Sequence, residues 1–203
     1  MALMAVGLTA VACSSDDDGD PYPSLITEPM MITTNAAGVP LSFVTDNGTR
    51  YTLLNQLTEW PKDTVLRMVG GYVVEEPAKA RLMTLSRMYV FHDCSSEAEL
   101  YRDPTGVVSV WLGGGFINMH LLPMTQGGAQ EWGYLRDSTC TNSRGGTTHH
   151  LSLYHSQKDD VAAYSGHLYC CIPLDSVASP RAGTDSIVLA IHTFNGQPAV
   201  WRF

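Results

Sequence analysis

From Leu25 onward, apolar and polar residues alternate with a period of two far more than with a period of 3.6. That is the spacing of strands with one buried face. In VPLSFVTDNGTRYTLL (39–54), two β-rich runs flank Asp46-Asn47-Gly48, a hairpin signal. A three-residue loop with Gly48 left-handed pairs Phe43 with Tyr51 and Leu41 with Leu53, collecting the apolar residues on one face. A two-residue loop pairs Phe43 with Thr52 and scatters them, so the three-residue loop is expected. TVLRMVGGYVVEE (64–76) and RLMTLSRMYVFHD (81–93) predict two further strands. Gly70-Gly71 suits a bulge or sharp bend where a small sheet closes on itself. About five strands in roughly 70 residues, with a glycine kink, fit a small OB-like barrel.

CSSEAELYRDPTG (94–106) interrupts the alternation. Ser96 and Glu99 match a capping box, which predicts one or two helical turns before an Asp103-Pro104 stop. Alternation then resumes in VVSVWL (107–112), FINMHLL (116–122), HHLSLYH (149–155), HLYCCIPL (167–174), SIVLAIHTF (186–194) and PAVWRF (198–203). Ile117, Met119 and Leu121 share one face, as do Leu151 with Leu153, and Leu168, Cys170, Ile172 and Leu174. Asn195-Gly196 marks a second turn, while Gly, Ser and Thr crowd residues 125–148 and predict a long loop. Short strands separated by turns predict an antiparallel β-sandwich. The chain is therefore expected to be all-β, with an OB-like barrel over 24–92 and a β-sandwich over 93–203.

Composition adds location. The 203 residues are 44% hydrophobic with a formal net charge of −8, and the 12 Lys and Arg form no basic cluster. Nucleic acid is not an expected partner, because no electrostatic footprint for phosphates is present. Met1 to Ala12 is the one segment apolar enough for a membrane, and it is too short to span one. It ends in Ala10, Val11 and Ala12 before Cys13, the order of a bacterial lipoprotein signal peptide cleaved ahead of a lipidated cysteine. Position −3 is Ala10 where Leu is commoner, and no Lys or Arg precedes the apolar run, which suggests a start upstream of Met1. Residues 1–12 are thus read as signal peptide and 13–23 as a solvated acidic tether. Ser15, Asp16, Asp17 and Asp18 resemble the acidic signal that sends some Gram-negative lipoproteins to the outer face of the outer membrane. An anchor of two or more acyl chains on Cys13 would hold the protein there without spanning the bilayer.

The lipobox cysteine followed by aspartates, the small barrel, and DPTGVVSVWLGGGFINMHL (103–121) together resemble the NigD-like lipoproteins of Gram-negative gut and oral anaerobes. HHLSLYH, YSGHLYCCIPLDS and DSIVLAIHTFNGQ fit the second domain of that family in order and spacing; WLGGGFIN (111–118) is the most specific element. The resemblance implies an OB-like domain and a C-terminal β-sandwich on a lipid anchor. The family name derives from a bacteriocin gene cluster, which implies a role in immunity or secretion, and no catalytic residues come with it.

Candidate chemistry is sparse. Cys94 and Cys140 sit in polar stretches and are the candidate disulfide; Cys170, on the face of Leu168 and Ile172, reads as a small core residue. His149 and His155 stand roughly 20 Å apart along a strand. His150 and His167 are candidate cross-strand neighbours without a third ligand, so no metal site and no cofactor is expected. No G-x-S-x-G, H-E-x-x-H or phosphate-cradling glycine motif occurs. Gly113-Gly114-Gly115 lies between strands rather than before a helix, and reads as a bend where strands cross closely. Trp111 and Trp201 read as core. Trp132 and Tyr134, in the expected loop, are the candidate ligand contacts. The leading expectation is a non-enzymatic, lipid-anchored lipoprotein facing the cell exterior that binds an extracellular protein, peptide or glycan. The alternatives are an immunity or accessory lipoprotein that sequesters a secreted toxin, and a hydrolase built from carboxylates such as Asp159 and Asp160.

Overall fold

The computed structural model describes residues 24–55, 57–58, 60–97, 99–177 and 184–203. The expected signal peptide (1–12), the lipidated Cys13 and the acidic tether (13–23) with Ser15, Asp16, Asp17 and Asp18 lie outside the described residues.

Strands β1 (Ile26–Thr34), β2 (Pro40–Thr45), β3 (Arg50–Leu53), β4 (Val65–Glu76) and β5 (Lys79–Arg87) close into a barrel in the order β1-β2-β3-β5-β4. All neighbours run antiparallel except β3 and β5. Phe43 faces Tyr51, and Gly48 at φ +86° closes the three-residue loop. Leu41 departs from expectation and is 55% exposed. The β1 ladder steps from Thr33↔Ser42 to Thr34↔Pro40, so Leu41 is the unpaired residue of a bulge and tips outward. The Gly70-Gly71 kink is present: the β4–β5 ladder shifts between Gly71 and Tyr72. A Cβ on Gly70 would come within 2.8 Å of Met30 Sδ, so this glycine is what leaves room for Met30 in the barrel. Met30, Ile32, Phe43, Tyr72, Ala80 and Leu82 fill the interior, with Trp60 packed against them.

The chain continues through β6 (Tyr89–Val90), β7 (Gly106–Gly113), β8 (Phe116–Leu122), β9 (Met124–Thr125), β10 (Glu131–Thr141) and β11 (Thr147–Ser156). Then follow β12 (Tyr164–Ser165), β13 (Leu168–Pro173), a single helical turn α1 (Leu174–Val177), β14 (Ser186–His192) and β15 (Pro198–Arg202). Two sheets, β6-β13-β8-β7 and β10-β11-β14-β15, face each other; β9 and β12 form a short ribbon. Pairing is mainly antiparallel, with β11–β14 and β6–β13 parallel. Tyr89 and Val90 already pair in the sandwich, a few residues ahead of the expected 92/93 boundary. Ile117, Met119, Leu121, Cys170 and Ile172 from one sheet meet Tyr134, Leu151, Leu153, Leu189 and Ile191 from the other. Trp201 packs against this core and Trp111 is half-buried.

Two expectations fail. Residues 125–148 are not a long loop: most of them build the β10–β11 hairpin, paired from Glu131↔Ser156 to Thr141↔Thr147. Residues 94–106 carry no helix among those described. Asp93 Oδ1 accepts from the Ser95 amide and hydroxyl, the Glu97 amide donates to the Cys94 carbonyl, and Asp93 and Arg102 bridge to the adjacent sheet. Tertiary pairing overrides the local capping pattern. No described helix is long and apolar enough to cross a membrane.

Candidate functional site

The barrel and sandwich meet through a buried polar cluster. Asp46, the first residue of the β2–β3 loop, accepts two hydrogen bonds from Arg67 of β4, Oδ1 at 2.5 Å and Oδ2 at 2.8 Å. Arg67 also donates to Asn118 Oδ1 on β8 at 2.9 Å, and Asn118 Nδ2 returns to Asp46 Oδ2 at 3.1 Å and to the Gly113 carbonyl at 3.2 Å. The guanidinium lies 4.5 Å from the centre of the Phe116 ring. The side chains of Arg67 and Asp46 are only 2% and 12% exposed, so the pair is desolvated and worth much more to position than a surface bridge. Asp46 also explains the triple glycine. A Cβ on Gly113 would sit 2.6 Å from Asp46 Oδ2, one on Gly114 would overlap the same carboxylate, and Gly114 and Gly115 turn at φ +59° and +84°. The specific WLGGGFIN stretch is therefore the surface on which the barrel docks.

Beside this clamp lies a cleft of about 860 Å³, within the range of small-ligand and peptide-side-chain sites. Met31, Val65 and Arg67 line it from the barrel, Val90, Leu112 and Phe116 from one sheet, and Ile187 and Phe203 from the other. Asp175 and Asp185 complete its polar lining; Asp185 Oδ1 accepts from the Thr147 amide. Val65, Val90 and Leu112 are 54%, 50% and 47% exposed, a concentration of apolar surface in one concave place. The arrangement can hold an apolar group. Among the described residues that line it, none forms a nucleophile–base pair.

The residues singled out in the sequence fall elsewhere. Tyr134 is a core residue, 1% exposed, with its hydroxyl 3.1 Å from Ser176 Oγ, and so offers no ligand contact. Trp132 is half-buried: the His155 ring stacks on it with centres 3.7 Å apart, and Phe91 lies parallel at 6.2 Å. It lines only a small polar hollow of about 320 Å³ with His92, Cys94, Glu97 and Tyr154. Cys94 and Cys140 are both free thiols. The Cys94 amide bonds to the Tyr134 carbonyl, which puts Cys140 six residues farther along β10, roughly 20 Å away and beyond any disulfide. Cys140 instead lies 3.6 Å from His150 Nε2 on the exposed end of the hairpin. Cys170 is a core residue, as expected. His167 pairs with His120, not with His150, and His155 is buried between the Asp103 carbonyl and Gln130. Asp160 is occupied structurally: hydrogen bonds from Thr125 first, then from Gln126, Gln130 and Gly128, hold its carboxyl at a pKa of about 2.

The NigD-like C-terminal beta sandwich domain matches residues 89–201, more than half of the chain. The chain belongs to the NigD-like family. Its fold is similar to that of a NigD-like immunity protein from Bacteroides caccae, with a TM-score of 0.71 and 22% identity over 90% of this chain and 98% of that one. It is also similar to a candidate toxin-related protein from Parabacteroides distasonis (TM-score 0.67, 13% identity, 89% and 93% covered). A third similar structure is a candidate lipoprotein from Bacteroides fragilis (TM-score 0.61, 10% identity, 88% and 97% covered). No functionally curated protein matches the chain. These likenesses span both domains of the NigD-like chain, so the barrel and the sandwich recur together.

The Asp46–Arg67–Asn118 clamp was the functional feature missed by sequence reasoning. Its signal was Arg67 and Asn118, polar residues set among the apolar positions of two strand runs.

Proposed function

We propose that this NigD-like chain is a non-catalytic lipoprotein, anchored through Cys13 in the outer membrane and facing the exterior, that binds a protein, peptide or glycan in the barrel–sandwich cleft. The observation that carries this reading is the cleft itself: a preformed apolar concavity built from both domains and held open by a buried ionic clamp. The absence of a catalytic motif from the sequence supports the non-catalytic part, and the similarity to a candidate lipoprotein supports the anchor. A second reading, an immunity lipoprotein that sequesters a secreted toxin, is favoured by the likeness to a protein described as a NigD-like immunity protein.

Capture from spent culture medium tests the cleft. Wild-type protein is compared with Leu112→Asp and Val90→Asp, two half-exposed lining positions where a charge leaves the core intact. A ligand retained by wild type and lost by both variants supports the reading; equal retention refutes it. A self-produced peptide as that ligand favours the immunity role, whereas a glycan or foreign protein favours the binding module. Proteinase K on intact cells tests the location: wild type is expected to be cleaved and the Asp16, Asp17, Asp18→Ala variant protected. Protection of both would place the protein on the periplasmic side.

A further inference from the structure

The barrel–sandwich cleft has a charge pattern that narrows what it can hold. Its walls are apolar, with Val65 from the barrel and Leu112, Ile187 and Phe203 from the sandwich. Arg67 is the one cation lining it among the described residues, and Asp46 already neutralises that charge through two hydrogen bonds at 2.5 and 2.8 Å. Two carboxylates lie on the same lining: Asp175, exposed on the helical turn α1, and Asp185, half-buried just ahead of β14. Asp185 Oδ1 accepts from the Thr147 amide at 2.7 Å, and no described residue forms a salt bridge to either carboxylate. An apolar concavity is thus edged by two carboxylates without a cationic partner among the described residues, in a chain whose formal net charge is −8.

We propose that the ligand of this cleft is a cationic peptide segment, in which a bulky apolar side chain stands next to a Lys or Arg. This rests on the cleft reading above and selects one of its ligand classes. The apolar side chain enters between Val65, Leu112 and Phe203 and leaves water, while the ammonium or guanidinium stays at the rim beside Asp175 and Asp185. Long cationic side chains suit that division, because their methylene stems cover apolar surface while their heads stay in solvent. Complementary charge adds selectivity and speed of association more than raw affinity, and salt weakens it. An anionic peptide would meet two like charges at the rim. No Trp or Tyr lines the cleft among the described residues, so it lacks the broad stacking platforms that suit a sugar ring.

The test uses the full chain with Cys13→Ser, so that no lipid is attached. Three rhodamine-labelled hexapeptides share two Leu and one Phe and carry Lys, Gln or Glu at the remaining positions; binding is read by fluorescence anisotropy. The Lys peptide is expected to bind roughly tenfold more tightly than the Gln peptide, and the Glu peptide least. Asp175→Asn with Asp185→Asn should bring the Lys and Gln affinities to within about twofold, as should raising salt from about 0.05 M to 0.5 M. Asp175→Asn alone, at an exposed position, should move the preference in the same direction without a folding defect. Leu112→Ser should weaken the Lys and Gln peptides alike. Equal affinity for all three peptides, lost in Leu112→Ser, would overturn the cationic preference and leave the cleft reading intact. No binding of the Lys peptide up to about 1 mM, or an affinity unaltered by both Asp175→Asn and Leu112→Ser, would overturn the proposal.

Discussion

Replacing Asp46 by Ala strands the Arg67 guanidinium inside the protein. Its side chain is 2% exposed, its Nη atoms lose two carboxylate acceptors, and its Nε already has no hydrogen-bond partner among the described residues. Removing one partner of a buried ion pair costs about 3–5 kcal/mol, mostly the price of the uncompensated charge. For a chain of this size that corresponds to a fall of roughly 6–20 °C in Tm. Arg67→Met should cost less, because the remaining carboxylate is 12% exposed and closer to water. The double variant Asp46→Ala with Arg67→Met removes both charges and should recover most of the loss. Urea unfolding of the four proteins closes the cycle, and limited proteolysis near Met88 reports whether the two domains still dock. A cost below about 1 kcal/mol for Asp46→Ala, or a double variant as unstable as the sum of the singles, would refute the claim that this pair locks barrel to sandwich.

Gly114→Ala should destabilise by several-fold more than Gly48→Ala: both turn at positive φ, worth about 1 kcal/mol, but a Cβ at Gly48 meets open space while one at Gly114 collides with Asp46. Equal melting temperatures for the two variants would contradict this. Burial holds the His155 imidazole below its ordinary pKa, a shift the Asp103 carbonyl partly opposes. The unfolded chain therefore takes up this proton more readily, and the stability His155 supplies is full above about pH 6.5 and is lost as pH falls from there through the lowered folded value. His155→Gln should flatten the fall in Tm between about pH 7.5 and pH 5; an unchanged slope would count against it. Asp160 acts in a lower window, its contribution fading as pH drops from the ordinary carboxylate range towards 2. Of the four described cysteines, Cys140 alone should react promptly with a thiol reagent in the native state. Cys94, Cys170 and Cys171 are buried, with their thiols pushed up by burial, Cys171 to about 11. Prompt reaction of a second thiol would be inconsistent with this packing.

The alternation of Ile117, Met119 and Leu121, or of Leu151 and Leu153, was enough to read both sheets, because these apolar residues face the shared core while Asn118, His120 and Ser152 alternate with them as polar residues, even though Asn118 and Ser152 are buried against other parts of the fold. The hairpin register was legible for the same reason, with Gly48 supplying the one backbone conformation that selects it. β10 escaped detection because Arg136 to Thr141 are exposed on both faces, so no period could mark a half-strand made of Ser, Thr, Cys140 and charged residues. That error moved Tyr134 from the core to a supposed loop and made it look like a ligand contact. The cleft could not be read at all: its lining joins Met31 to Phe203 across the whole chain, and only the docking of two domains brings these residues together.

The most direct measurement of the cleft's role is hydrogen exchange on the protein with and without the ligand captured from the medium. Slowed exchange around Val90, Leu112 to Phe116, Ile187 and Phe203, with little change elsewhere, is the predicted result. Protection confined to the β10–β11 hairpin or to the hollow beside Trp132, with the cleft unchanged, would contradict the account and move the binding site to the other sheet.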